Sequence, residues 1–190
     1  ILDGKQIESE PDQGELTRRY TEKAVSFIKD HSKEPFFLYF AHTFPHIPLY
    51  TNARFEGTSK RGLYGDVVEE IDWSVGEVLK ALRENGLDEN TFVIFTSDNG
   101  PHHEGGADPD FFKSYGPFRG IKRDVYEGGI RIPMVAWCPG TIKAGAQSDH
   151  ISAFWDVMPT LAELTGTVLP EKTDGISFLP TLLSKKDQQA

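Results

Sequence analysis

Asp98 and Asn99 lie between Ser97 and Gly100, directly after the apolar run Thr91-Phe92-Val93-Ile94-Phe95-Thr96. A carboxylate and a carboxamide at the tip of such a run put two hard oxygen donors where open α/β sheets hold ligands, and hard oxygens suit calcium or magnesium. The same residues also form an Asp-Asn-Gly turn that would simply end a strand. His42 and His46 follow a second apolar run, Phe36 to Phe40. Pro45 and Pro48 argue against a helix here, so the pair is not the helical histidine couple of a zinc motif. Both then read as loop histidines, although His46 and Asp98 share a sheet edge if the two runs are parallel strands. His102 and His103 follow at once and are open to three roles: ligand, substrate contact or surface residue. Arg119, Lys122, Arg123 and Arg131 fall within thirteen residues, the local cationic cluster an acidic chain needs to hold an anionic substrate. Arg123 reads as part of a solvated basic turn. The paired Gly128-Gly129 allow backbone conformations closed to other residues and bring chain close to a ligand.

These residues need a scaffold, and the chain is long enough to bury one core. Its 190 residues suggest a single domain over 1–190. A net charge of −9 argues against a broad nucleic-acid face, which requires clustered Lys and Arg. The lone Cys138 excludes an internal disulfide and a cysteine zinc site. No run is long enough to span a membrane. Ile1-Leu2-Asp3-Gly4 has no signal-peptide character, and the absence of an initial Met leads us to expect a piece or a processed form.

Helical spacing of Leu16, Tyr20, Ala24, Phe27 and Ile28 predicts a helix from Leu16 to about Lys29. Phe36 to Phe40 predicts a strand, and residues 42–61, with Pro45, Pro48 and Gly57, a loop. Val67, Ile71, Val75, Val78, Leu79 and Leu82 mark a long helix closing at Asn85-Gly86. A strand over 91–97 follows, unbroken by polar alternation and so expected to be covered on both faces. Residues 98–131, with seven glycines and three prolines, form a stretch of irregular chain that compact domains keep for binding or catalysis. Ile132 to Trp137 predicts a third strand and Trp155 to Leu164 a last helix. The tail from Lys185 is expected to fray. Strands alternating with helices imply an α/β fold with a largely parallel sheet flanked by helices.

The motifs Phe36 to Pro48, Gly65-Asp66 through Asp72, Thr96 to Gly100, Tyr126-Glu127-Gly128-Gly129 through Pro133, and Asp156 to Leu161 together resemble the type I sulfatases. Within that family they are most similar to the arylsulfatase A and N-acetylgalactosamine-6-sulfatase branch. The resemblance covers nearly all of the chain. It implies an alkaline-phosphatase-like core, a bound calcium, and sulfate-ester hydrolysis by a formylglycine made from Cys or Ser. By position, Asp98 and Asn99 match metal ligands. His46 matches the histidine that contacts the sulfate, and Lys122 the lysine that reaches the sulfate and the leaving-group oxygen. A sulfated carbohydrate or aryl sulfate is the implied substrate, and a periplasmic or extracellular location the implied compartment.

The sequence also departs from the family. Its nucleophile motif, Cys or Ser followed by x-Pro-x-Arg, does not occur, since Cys138 is followed by Pro139-Gly140-Thr141. The aspartate pair that completes the family's metal site upstream is absent too. The chain therefore reads as the C-terminal part of a sulfatase core, inactive by itself, with the formylglycine in an upstream segment. Two other readings stay open: a metal-dependent phosphatase or phosphodiesterase of the same superfamily, and a non-catalytic domain that binds sulfated glycans.

Overall fold

The computed structural model describes residues 4–169 and 173–185. The start of the chain at Ile1-Leu2-Asp3 and the tail after Lys185, expected to fray, lie outside the described residues. The chain divides into two compact units, one of residues 1–88 and 96–133, the other of 89–95 and 134–190.

The first unit is built on two packed helices, α1 (Leu16–Asp30) and α2 (Gly62–Glu84). On α1 the buried stripe is Leu16, Thr17, Thr21, Ala24 and Ile28. Tyr20, expected on that stripe, is 37% exposed. Thr21 takes the inward position because its hydroxyl has partners there, donating to Thr17 O at 2.7 Å and sharing a 2.6 Å hydrogen bond with Ser74. The end of α2 follows the sequence: Asn85 caps it, and Gly86 takes the left-handed conformation (φ 67°) that closes a helix at least cost. The loop after α1 carries cis peptides at Phe44–Pro45 and Ile47–Pro48. Its Phe44 and Leu49 join Leu16, Val67 and Ile71 in one buried cluster, with Ile47 and Tyr64 packed against it. Burying each such side chain contributes about 1.5–3 kcal/mol, and this cluster seats the loop on the helices.

The predicted strand at Phe36–Phe40 does not form: these residues have no strand pairing. Their exposure still alternates, Phe37 and Tyr39 lying 71% and 77% exposed between half-buried Phe36, Leu38 and Phe40. Period-two alternation survives without a ladder because a strand needs a hydrogen-bonded neighbour, and among the described residues this run has none.

β1 (Val93–Thr96), which belongs to the second unit as far as Phe95, pairs with β2 (Met134–Trp137) in a two-stranded sheet. Both strands are shorter than predicted. The expectation that the strand over 91–97 is covered on both faces fails, since Phe95 is 43% exposed. The last predicted helix is present as a 3-10 turn at Phe154–Asp156 leading into α3 (Val157–Thr165), which packs on a shorter helix at Leu179–Leu182. Buried Asp156 is structural. Its carboxylate accepts from Ala153 N at 2.7 Å and Ile176 N at 2.8 Å, tying two segments to the start of α3. Cys138 is buried and free.

Candidate functional site

Every residue singled out for chemistry falls in the first unit, on three segments: the loop after α1, the turn after β1, and residues 119–131. Backbone contacts lock the second to the third. Gly100 N donates to Gly129 O at 2.9 Å and Lys122 N to Pro101 O at 2.7 Å, while within residues 119–131 Gly128 N donates to Arg119 O at 2.8 Å. The glycines make this approach possible. A Cβ on Gly100 would lie 2.0 Å from Gly128 O, and one on Gly128 2.0 Å from Gly120 O. Lys122 is thereby fixed beside Pro101, three residues from Asp98. A four-residue helix, Glu127–Ile130, follows it.

The first segment meets the second through the two histidine-bearing loops. The rings of His46 and His102 are edge-on with centroids 6.2 Å apart. A Cβ on Gly105 would lie 2.4 Å from Ile47 Cγ2, so the backbone after His102 runs directly along the His46 loop. His46 Nδ1 lies 2.6 Å from Ile47 O. A carbonyl oxygen only accepts, so Nδ1 carries the proton and Nε2 is left for a ligand. His102 Nδ1 is buried without a hydrogen-bond partner among the described residues. His103 is exposed.

Sequence reasoning missed Glu104. It forms an ion pair with Arg123, and that hydrogen bond, ahead of the pull of His102 and Lys122, holds its carboxyl below the usual carboxylate range. The same contact raises Arg123. Arg123, read as a solvated turn residue, is exposed yet paired, and it sits at φ 84°. No spacing signals a pair between residues nineteen apart on two irregular segments. Lys122 keeps its ammonium free of any hydrogen bond or ion pair among the described residues. Arg119 stacks on Tyr126 at 3.9 Å and Arg131 on Phe118 at 4.6 Å, so the cationic cluster is held by aromatic faces as well as carboxylates.

The metal candidates are less complete. Asp98 is exposed, while half-buried Asn99 donates through Nδ2 to Gly100 O at 3.2 Å and so can turn its oxygen outward. Their donor type fits a hard cation. Their number does not, because calcium takes about six to eight oxygen ligands and no group of three metal-binding side chains occurs among the described residues. These residues alone do not make a calcium site. No helix among the described residues is long and apolar enough to cross a membrane.

The model of the family described as Sulfatase matches residues 3–167. The chain is 43% identical over 180 residues to N-acetylgalactosamine-6-sulfatase of Mus musculus, a match covering 90% of this chain and 33% of that protein. It thus spans about a third of the length of the curated relatives it matches. Among solved structures it is similar to Ps i-CgsB in complex with k-i-k-neocarrahexaose, with a TM-score of 0.82, 30% identity, and coverage of 96% of this chain and 41% of that one. A phosphonate monoester hydrolase from Silicibacter pomeroyi, 18% identical with a TM-score of 0.72 over 88% of this chain and 41% of its own, shares the fold. The architecture is the alkaline-phosphatase-like α/β fold.

Proposed function

Because the chain belongs to the sulfatase family, we propose that it supplies the sulfate-binding side of a site that hydrolyses sulfate esters. The observation that carries this reading is the convergence of His46, His102 and Lys122 on the turn after β1. The backbone of Lys122 is held at Pro101, next to His102 whose ring faces His46, so three residues able to donate to an anion lie on adjoining segments of a chain of net charge −9, which would otherwise repel one. Lys122 offsets charge on the sulfuryl oxygens. His46, with Nδ1–H fixed on a carbonyl, offers Nε2 to the substrate: protonated, it donates to a sulfate oxygen or to the departing oxygen as negative charge develops there. His102 and His103 flank the substrate.

A formylglycine and calcium complete the proposal. The aldehyde-derived nucleophile comes from a segment other than these 190 residues, which hold no Cys/Ser-x-Pro-x-Arg motif, and Asp98 and Asn99 provide two of the calcium ligands. Sulfated glycans are the substrate class, supported by the names of the mouse relative and of the neocarrahexaose complex. A periplasmic or extracellular location belongs to the same proposal.

The test is a substrate comparison on the longest polypeptide that the reading frame of this chain encodes. With matched chromogenic esters, kcat/KM for the aryl sulfate should exceed that for the aryl phosphate. Preference for the phosphate would transfer the chain to the phosphatase side of the superfamily.

A further inference from the structure

One face of α2 carries Asp66, Val67, Glu70, Ile71 and Ser74, all between 0% and 8% exposed. Every one of them grips the chain between α1 and α2. Val67 and Ile71 hold Phe44 and Leu49 in the buried cluster. Ser74 Oγ lies 3.5 Å from His42 Nε2. Asp66 accepts from Gly57 N at 3.0 Å and Ser59 N at 2.7 Å. Glu70, 1% exposed, accepts through Oε2 from Thr51 Oγ1 at 2.8 Å and Asn52 N at 2.9 Å. Its Oε1 has no hydrogen-bond partner, so among the described residues the polar contacts of this carboxyl all go to the loop. Burying a carboxyl group is costly unless its hydrogen bonds return the loss. A leucine would fill the stripe more cheaply if packing were the only requirement.

We propose that Glu70 is a positioning residue that fixes the downstream limb of the His46 loop. His46 lies five residues before Thr51, the nearer of the two anchors on Glu70, and is followed by Leu49, which the buried cluster fixes. Asn52 is held a second time, its Nδ2 donating to Glu15 Oε1 at 2.6 Å, so the limb is pinned between both helices. Holding the loop by buried acceptors, rather than by a ladder, leaves its backbone irregular enough to turn His46 outward. The effect on turnover rests on the sulfatase reading above, whereas the effect on the loop does not.

The experiment compares wild type, Glu70→Ala, Glu70→Gln and Thr51→Val in the longest encoded polypeptide, by amide hydrogen exchange over residues 44–59 and by turnover of a chromogenic aryl sulfate. In Glu70→Ala the Asn52 amide should exchange about tenfold faster or more, while the Gly57 and Ser59 amides held by Asp66 keep their protection. Its kcat/KM should drop about tenfold, with the larger share in kcat. Glu70→Gln retains a carbonyl acceptor and should recover most of both losses. Unchanged Asn52 exchange in Glu70→Ala, equal behaviour of the alanine and glutamine variants, or a loosened loop with unaltered turnover each overturns the proposal. Should Glu70→Ala not fold, Thr51→Val decides from the loop side: faster Asn52 exchange supports the clamp, and none overturns it. A loosened loop in Glu70→Ala, with no sulfate ester turned over even by wild type, would keep the clamp and remove the sulfatase reading.

Discussion

Lys122 and Arg123 are neighbours in sequence with opposite surroundings, and their surroundings predict opposite phenotypes. Arg123 is tied to Glu104 by an exposed ion pair, a type of contact worth little, and it occupies φ 84°, where a side chain is strained. Arg123→Gly should therefore leave the melting temperature unchanged or raise it slightly, which a thermal scan checks; a clear fall would mean that the ion pair outweighs the strain. His42 carries a pH dependence. Burial lowers its pKa from the ordinary 6.5, so the unfolded chain takes up a proton first as pH falls. The stability this group contributes is complete above about 6.5 and declines from there toward the lower folded value. Urea midpoints at pH 7.5 and 5.5 should show this loss, and His42→Gln should reduce it. At this scale the sequence indicated residue types but not partners. Lys122 and His46 stood out by motif, while Glu104 and Glu70 lie on segments whose pairing depends on where the loops fold.

Among the elements, glycine separates packing from propensity. Gly100 meets the backbone of Gly128, so Gly100→Ala forces the turn after β1 away from residues 119–131 and should cost about 1–3 kcal/mol by denaturant unfolding. Gly76, in the interior of α2, has nothing within 4 Å of an added Cβ. Gly76→Ala should stabilise by up to about 1 kcal/mol, the difference in helix propensity. The reverse order would show that the close glycine contact is not what joins the segments. Both long helices were legible in the sequence because their apolar period is written in consecutive residues and Gly86 marks an end. Phe36–Phe40 misled for the complementary reason: an apolar run records which side chains avoid water, but the neighbour that makes it a strand is elsewhere. The helix face that grips the His46 loop was half legible. Val67 and Ile71 stand on the predicted stripe, whereas Asp66, Glu70 and Ser74 share their buried face with no apolar signal to mark them.

In the molecule as a whole, the proposed anion site sets histidines and Lys122 in an acidic chain, with Lys122 carrying the charge that matters most in the transition state. Removing one preorganised charge of that kind costs about a hundredfold to a thousandfold in rate. The ammonium is free of protein partners among the described residues, so its removal should spare folding. The decisive measurement is kcat of Lys122→Ala and Arg123→Ala on a chromogenic aryl sulfate, in the longest polypeptide encoded with this chain. The account predicts a loss of about a hundredfold or more for Lys122→Ala with an unchanged melting temperature, against a loss of less than about fivefold for Arg123→Ala. Equal losses in the two variants, or full turnover in Lys122→Ala, would contradict it.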